Sequence, residues 1–427
     1  MRMSDNPTRN VALSNAGCEK IEWSSRRMPV LKALSEEAAF KKLFSNCVVA
    51  ACLHVTPETA VLMRALKSGG AEIFLCGSNP LSTQDDVVMA LARQDKMQVY
   101  ACRGITNKQY NAHINSVIKN ALSAALTNNK AVIIIDDGAD LIAAIHKMKV
   151  PLDRIIGASE ETTTGVNRLK AMEKDGALRF PVVAVNDSAT KHLFDNKYGT
   201  GQSALDGVIR ATNILMAGKS VVVVGYGPCG EGVARCAKGL GAHVIVCEVN
   251  PIRALQAHYD GFTVGSMDSA AGRGDIFITV TGQKSVIDAG HFAVMKDGAV
   301  LANAGHFDCE INLADLKVLS EKTIKRGNLT EYDVAGRKIL VIGEGRLVNL
   351  VAAAGHPAEV MDMSFATQFE AARYLLEERG KLPSKIHELP EKEQQSIASL
   401  KLKTLGVEID SLTNEQEKYL TSWHSGT

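Results

Sequence analysis

The stretch Val221–Pro251, VVVVGYGPCGEGVARCAKGLGAHVIVCEVNP, decides how this chain is read. Its run of valines suits a strand covered on both faces. Gly225, Gly227 and Gly230 follow in a G-x-G-x-x-G spacing. The first permits a tight turn, the second lets backbone approach a pyrophosphate, and the third lets the next helix pack on the strand. The N-terminus of that helix then faces the phosphates. A second apolar strand, HVIVCE, ends at Glu248. A carboxylate there accepts from both ribose hydroxyls and repels a 2′-phosphate, so the motif predicts NAD rather than NADP. A further Gly-x-Gly at 343–345 follows a strand but lacks the third glycine, and reads as a plain loop.

The same alternation of strands and helices extends on both sides. From about Ser203 to Val351 the strands are SVVVVG, HVIVCE, GFTVG, DIFITV, AVLANAG and KILVIG, the six of a doubly wound dinucleotide fold. From about Ile21 to Asn186 the apolar runs are CVVAACL (47–53), AEIFLCG (71–77), MQVYACR (97–103), AVIIIDD (131–137) and PVVAVN (181–186). Separated by amphipathic segments, they predict a second parallel sheet buried on both faces. The fold class expected is α/β, with two doubly wound Rossmann-like parallel-sheet domains and a C-terminal helical tail. The first 20 or so residues are polar and are expected to be frayed.

The 427 residues are too many for one core. A net charge of +1 with interspersed signs argues against a nucleic-acid or membrane partner and for a small molecule. The nine cysteines form no CxxC pair, which predicts a reducing compartment and no metal centre. The N-terminus lacks an apolar signal core and no run reaches membrane-spanning length, so a cytoplasmic protein is expected.

Polar clusters sit where strands should end, the ligand-binding edge of open α/β sheets. They are HVTPET (54–59), DDGAD (136–140), SEETTTG (159–165), NDSATKHLFDN (186–196), NAGHFD (303–308) and EGRLVNLVAAAGHP (344–357). Each has a plain structural reading. His54 could be an ordinary histidine at a strand end, Asp136 and Asp137 helix caps, and Glu160 and Glu161 a helix start. Lys191 and Asp195 could be a surface i,i+4 pair. Six such clusters beside a hydride acceptor instead suit alcohol oxidation followed by proton abstraction next to the new ketone.

The motifs SEETTTGVNRL, VNDSATKHLFDNKYG, GYGPCGEGVA, NAGHFD and EGRLVNL…GHP resemble the S-adenosyl-L-homocysteine hydrolase family, and the similarity covers about residues 45 to 420. The resemblance implies that bound NAD oxidises the ribose 3′-hydroxyl, homocysteine is eliminated, water adds, and the ketone is reduced again. It assigns Lys191 and Asp195 to the 3′-hydroxyl proton, with lysine a base only if its pKa is lowered. Asp137 and His54 become acid–base groups near the 4′ and 5′ carbons. Glu161 grips the ribose hydroxyls, and His306 is a further active-site histidine. Thr162, Thr163, Thr164, Asn196 and Asn349 are expected at the nicotinamide, and His356, Met361 and Phe365 around the adenine. Thr56 and Glu58 match positions facing the 6-amino group, which argues for adenine over hypoxanthine.

The implied domains are substrate-binding over 1–190, completed by 357–390; NAD-binding over 191–356; and a C-terminal oligomerisation segment over 391–427. A homotetramer is the family expectation. The sequence departs from the pattern at Thr200, where many members have Cys, and in ending at SWHSGT without a Lys/Tyr-bearing tail. Cofactor exchange is therefore expected to be easier. Three alternatives stand beside the hydrolase: an inosine-selective hydrolase, a silent NAD-binding regulator, and a simple dehydrogenase.

Overall fold

In a computed structural model, which describes residues 7–148 and 150–424, every apolar run named above forms a strand. The first sheet contains β1 (Cys47–Leu53), β2 (Glu72–Gly77), β3 (Gln98–Tyr100), β4 (Ala131–Asp136), β5 (Ile155–Glu160) and β6 (Val182–Ala184). The second contains β7 (Ser220–Val224), β8 (His243–Cys247), β9 (Thr263–Val264), β10 (Ile276–Thr279), β11 (Ala299–Asn303), β12 (Lys322–Arg326), β13 (Leu329–Val334) and β14 (Arg337–Ile342). One last strand, β15 (Ile386–His387), returns to the first sheet and pairs with β6.

The first sheet is parallel throughout, in the order β15-β6-β5-β4-β1-β2-β3. β1 and β4 are buried along their full length, as helices on both faces require. Strand order reverses between β1 and β4, and the crevice at such a switch point is where ligands bind. The second sheet runs β12-β13-β14-β11-β10-β7-β8-β9. Its parallel part has the order of a dinucleotide-binding fold, with β7 central.

Three expectations need correction. The second sheet is mixed: β13 pairs antiparallel with both β12 and β14. A two-residue Gly327–Asn328 turn joins this edge hairpin, and Gly327 has φ +59°. β5, IIGASE, went unnoticed because Gly157 interrupts its apolar run. A Cβ there would lie 2.5 Å from Leu375 Cδ2, so the glycine lets the helix Ala358–Glu377 close onto the sheet. Finally, Pro7–Ser25 is a helix rather than a frayed end; residues 1–6 lie outside the described residues. It buries Ser14, Ile21 and Ser24, and a Cβ on Gly17 would sit 2.1 Å from the Asp86 carbonyl. Packing through such small side chains leaves no hydrophobic stripe to read.

The chain ends in the helices Glu391–Thr404 and Asn414–Thr421, the second with no buried residue. No described helix is long and apolar enough to cross a membrane.

Candidate active site

The carboxyl ends of the two sheets border one cleft of about 780 Å³. All the site residues predicted above line it except Gly230, which lies beneath the glycine turn.

His54 follows β1 and Asp137 follows β4, on either side of the switch point. Asp136 accepts from the backbone of Asp137 and Ile142 at 3.0 and 2.7 Å. Glu160 accepts from Gly138, Ala139 and Thr162 at 2.8, 2.9 and 2.9 Å. These two buried carboxylates hold the loop that presents Asp137 and leave Asp137 itself free for the cleft. Gly138, at φ +106°, is obligatory, because a Cβ would lie 2.5 Å from His306 Nε2.

Asp137 meets both histidines: His54 Nε2 is 3.4 Å from Oδ2 and His306 Nδ1 is 3.8 Å from Oδ1. Ser82 Oγ, 2.7 Å from His54 Nδ1, fixes the ring. Burial pushes the His54 imidazole down to about 4, against the pull of Asp137. His54 is therefore a neutral base at pH 7. The ligand atoms of this trio all lie within 4.8 Å of one another, close enough to hold a metal ion, although no local sequence spacing predicted it.

Around Lys191 the cleft is more highly charged. Lys191 and Asp195 are both 4% exposed, which removes the surface-pair reading. Lys191 Nζ donates to Asn196 Oδ1 at 2.8 Å and Asn186 Oδ1 at 3.3 Å, with Asp195 at 3.6 Å and Glu161 at 3.8 Å. Burial opposes its charge, but Asp195 and Glu161 outweigh burial and hold it above the usual lysine range. A base with a lowered pKa is the condition set by the resemblance, and the side chains around Lys191 do not meet it. Asp195 is buried too, yet Lys191, His356 at 3.0 Å and the Ser364 hydroxyl at 2.7 Å keep it well below the usual carboxylate range. Glu161 behaves oppositely, because burial pushes it up to about 8 despite Lys191.

Several contributors were missed. Gln368 donates to Glu161 at 2.5 Å and accepts from Ser159 at 2.6 Å. With Ser364 it lies on the helix Ala358–Glu377, which also buries Asp362, Thr367 and Glu370. Polar residues within a helix carry no signal until burial is known. Asn186 stood inside a quoted motif without a task. Arg253, on the helix Pro251–Tyr259, lines the cleft 3.3 Å from where a Gly227 Cβ would be. Thr200 Oγ1 is 3.6 Å from Cys229 Sγ, so a thiol reaches this spot from the glycine turn.

The residues present fit NAD. Gly225 has φ +104°, and a Cβ on Gly230 would lie 2.0 Å from the Gly225 carbonyl, so neither tolerates a side chain. The helix Pro228–Gly239 starts at this turn and offers unpaired N–H groups to phosphate. Glu248 accepts from the backbone of Tyr226, Val249 and Asn250 at 2.7, 2.7 and 2.8 Å. A carboxylate has about four lone-pair sites, so in this arrangement one remains for a ribose hydroxyl rather than two. Asn349 Oδ1 is buried without a partner among the described residues, an unmet acceptor of the kind a carboxamide N–H satisfies. Thr162, Thr163 and Thr164 open the helix Thr163–Lys174 on the opposite wall.

A dinucleotide-binding sheet facing a second parallel sheet across a cleft of buried acids and bases defines an NAD-dependent α/β enzyme. Residues 5–154 match the family model of S-adenosyl-L-homocysteine hydrolase, and residues 196–355 match that of its NAD-binding domain. This chain belongs to the S-adenosyl-L-homocysteine hydrolase family. It is 54% identical to the S-inosyl-L-homocysteine hydrolase of Methanocaldococcus jannaschii, over 98% of this chain and 99% of that protein. It is 53% identical to the adenosylhomocysteinase of Thermococcus kodakarensis, over 98% of each. To the adenosylhomocysteinase of Thermosynechococcus vestitus it is 52% identical, over 98% of this chain and 96% of that protein.

Proposed function

We propose that the protein hydrolyses S-adenosyl-L-homocysteine reversibly to adenosine and homocysteine, with NAD bound throughout. The observation that carries this is the single cleft lined by both the glycine turn and the His54–Asp137–His306 and Lys191–Asp195–Glu161 groups. Bound NAD supplies reversible hydride acceptance at the ribose 3′ carbon. The chain's own residues move protons. Lys191 starts as an ammonium, so it acts on the 3′ oxygen as a base only after passing its own proton on. Asp195, held ionised, is too weak a base to take that proton; Glu161 at 3.8 Å, pushed up to about 8, takes it only when it is itself ionised.

On the other side, Asp137 and neutral His54 take the 4′ proton and deliver one to sulfur as the C5′–S bond breaks. The same groups activate the water whose oxygen forms the new C5′–O bond, and His306 supports the Asp137 charge. Met361 and Phe365 are read as the apolar wall of the purine, with Thr56 and Glu58 at its 6-position. A compartment that keeps all nine thiols free fits a cytoplasmic enzyme. The exposed Tyr419, Leu420 and Trp423 favour a homo-oligomer, read as a tetramer.

The test is free-thiol release from S-adenosylhomocysteine and S-inosylhomocysteine by purified protein with no cofactor added. The two kinds of relative are almost equally similar, so the inosine substrate is the second reading. Release favouring the adenine substrate supports the proposal. Release from the inosine substrate alone selects the second, and none from either removes both.

A further inference from the structure

Glu58 lies near the start of the helix Pro57–Ser68 and lines the cleft. Its side-chain partner comes from the N-terminal helix: Ser24 Oγ donates to Glu58 Oε1 at 2.7 Å, and both residues are buried. The hydroxyl's one proton is committed to Oε1, and a carboxylate, with about four lone-pair sites, keeps further acceptor capacity for a ligand. We propose that Ser24 is a positioning residue that sets the base preference of the cleft, by holding Glu58 as an acceptor toward the 6-substituent of the purine. This rests on the reading that a nucleosyl homocysteine places its base against Glu58.

The chemistry turns on which partner carries the proton. A 6-amino group donates and suits a carboxylate. A 6-oxo group accepts, so it is repelled by a carboxylate and tolerated by a protonated carboxyl. Burial pushes Glu58 up, and the Ser24 hydroxyl is the strongest opposing influence, followed by backbone and Thr56 hydrogen bonds and the charge of His356. Several charged groups on the packed elements pair with one another rather than with Glu58. Lys20 pairs with Asp86, Glu37 with Lys41 and Glu72 with Lys130. From the helix Ala358–Glu377, Glu359 pairs with Arg27 and Asp362 with Lys401.

Titration calorimetry of the NAD-loaded protein with adenosine and with inosine, from about pH 5 to 7.5, reads the preference apart from turnover. Adenosine should bind the wild type more tightly, by a ratio that grows as pH rises. Ser24→Ala removes a hydrogen bond to a charged group, so that ratio should fall about 10-fold near neutrality and its pH dependence should move up by about one unit. Ser24→Thr, which keeps the hydroxyl, should restore both. Glu58→Gln, which cannot ionise, should make the ratio independent of pH. An unchanged ratio and pH profile in Ser24→Ala, or equal weakening of both nucleosides, would overturn the role of Ser24. Failure of the wild type to bind either nucleoside would instead sink the functional reading beneath it.

Discussion

At the scale of single residues, the cleft separates like groups by environment. Asp195 and Glu161 both face Lys191, yet one is held ionised and the other is pushed toward its protonated form. Glu161→Gln should therefore lower the rate of thiol release at least 100-fold without changing the unfolding midpoint by more than a few degrees, as measured by thiol assay and calorimetry. Lys191→Ala and Asp195→Ala should also nearly abolish release while the protein stays folded, and near-normal turnover in both would refute their assignment.

His54 gives a pH prediction. Its folded pKa of about 4 lies below the ordinary value of 6.5, so the unfolded chain binds more protons between them. The neutral histidine's stability contribution is thus present above pH 6.5 and lost as pH falls toward 4, up to about 3 kcal/mol at one unit per 1.36 kcal/mol. Denaturant unfolding of wild type and His54→Asn between pH 4 and 6.5 should show a flatter pH dependence in the variant.

At the scale of elements, the strands were easy to see and the supports were not. β1, β4, β7 and β8 announce themselves because strands buried on both faces must be continuously apolar. The β12–β13 hairpin lies at an edge and has mixed polarity, so it carries no such run. Likewise, motifs placed Lys191 and Asp195, while Gln368 and Ser364 emerged only from tertiary packing. Gln368→Leu should leave Glu161 without its 2.5 Å donor and slow thiol release about 10- to 100-fold, with the secondary structure intact by circular dichroism. In the glycine turn, Gly230→Ala would drive a methyl group into the Gly225 carbonyl. The strand and helix would have to part, so the purified variant should carry little nicotinamide, readable as cofactor released on acid denaturation.

Across the whole molecule, the exposed apolar side chains of the last helix should matter through association rather than folding. Removing residues 405–427 should lower the assembly order seen by light scattering while leaving the far-ultraviolet spectrum nearly unchanged; an unchanged mass would refute that segment's role.

β15 has a temporal consequence as well. It is made only after all eight strands of the second sheet, yet it completes the edge of the first. On the ribosome, the half that emerges first must wait with an open flank while the half translated second can already close. Nascent chains stalled just short of Ile386 should therefore be vulnerable to protease, or dependent on chaperones, chiefly through their earliest-made portion.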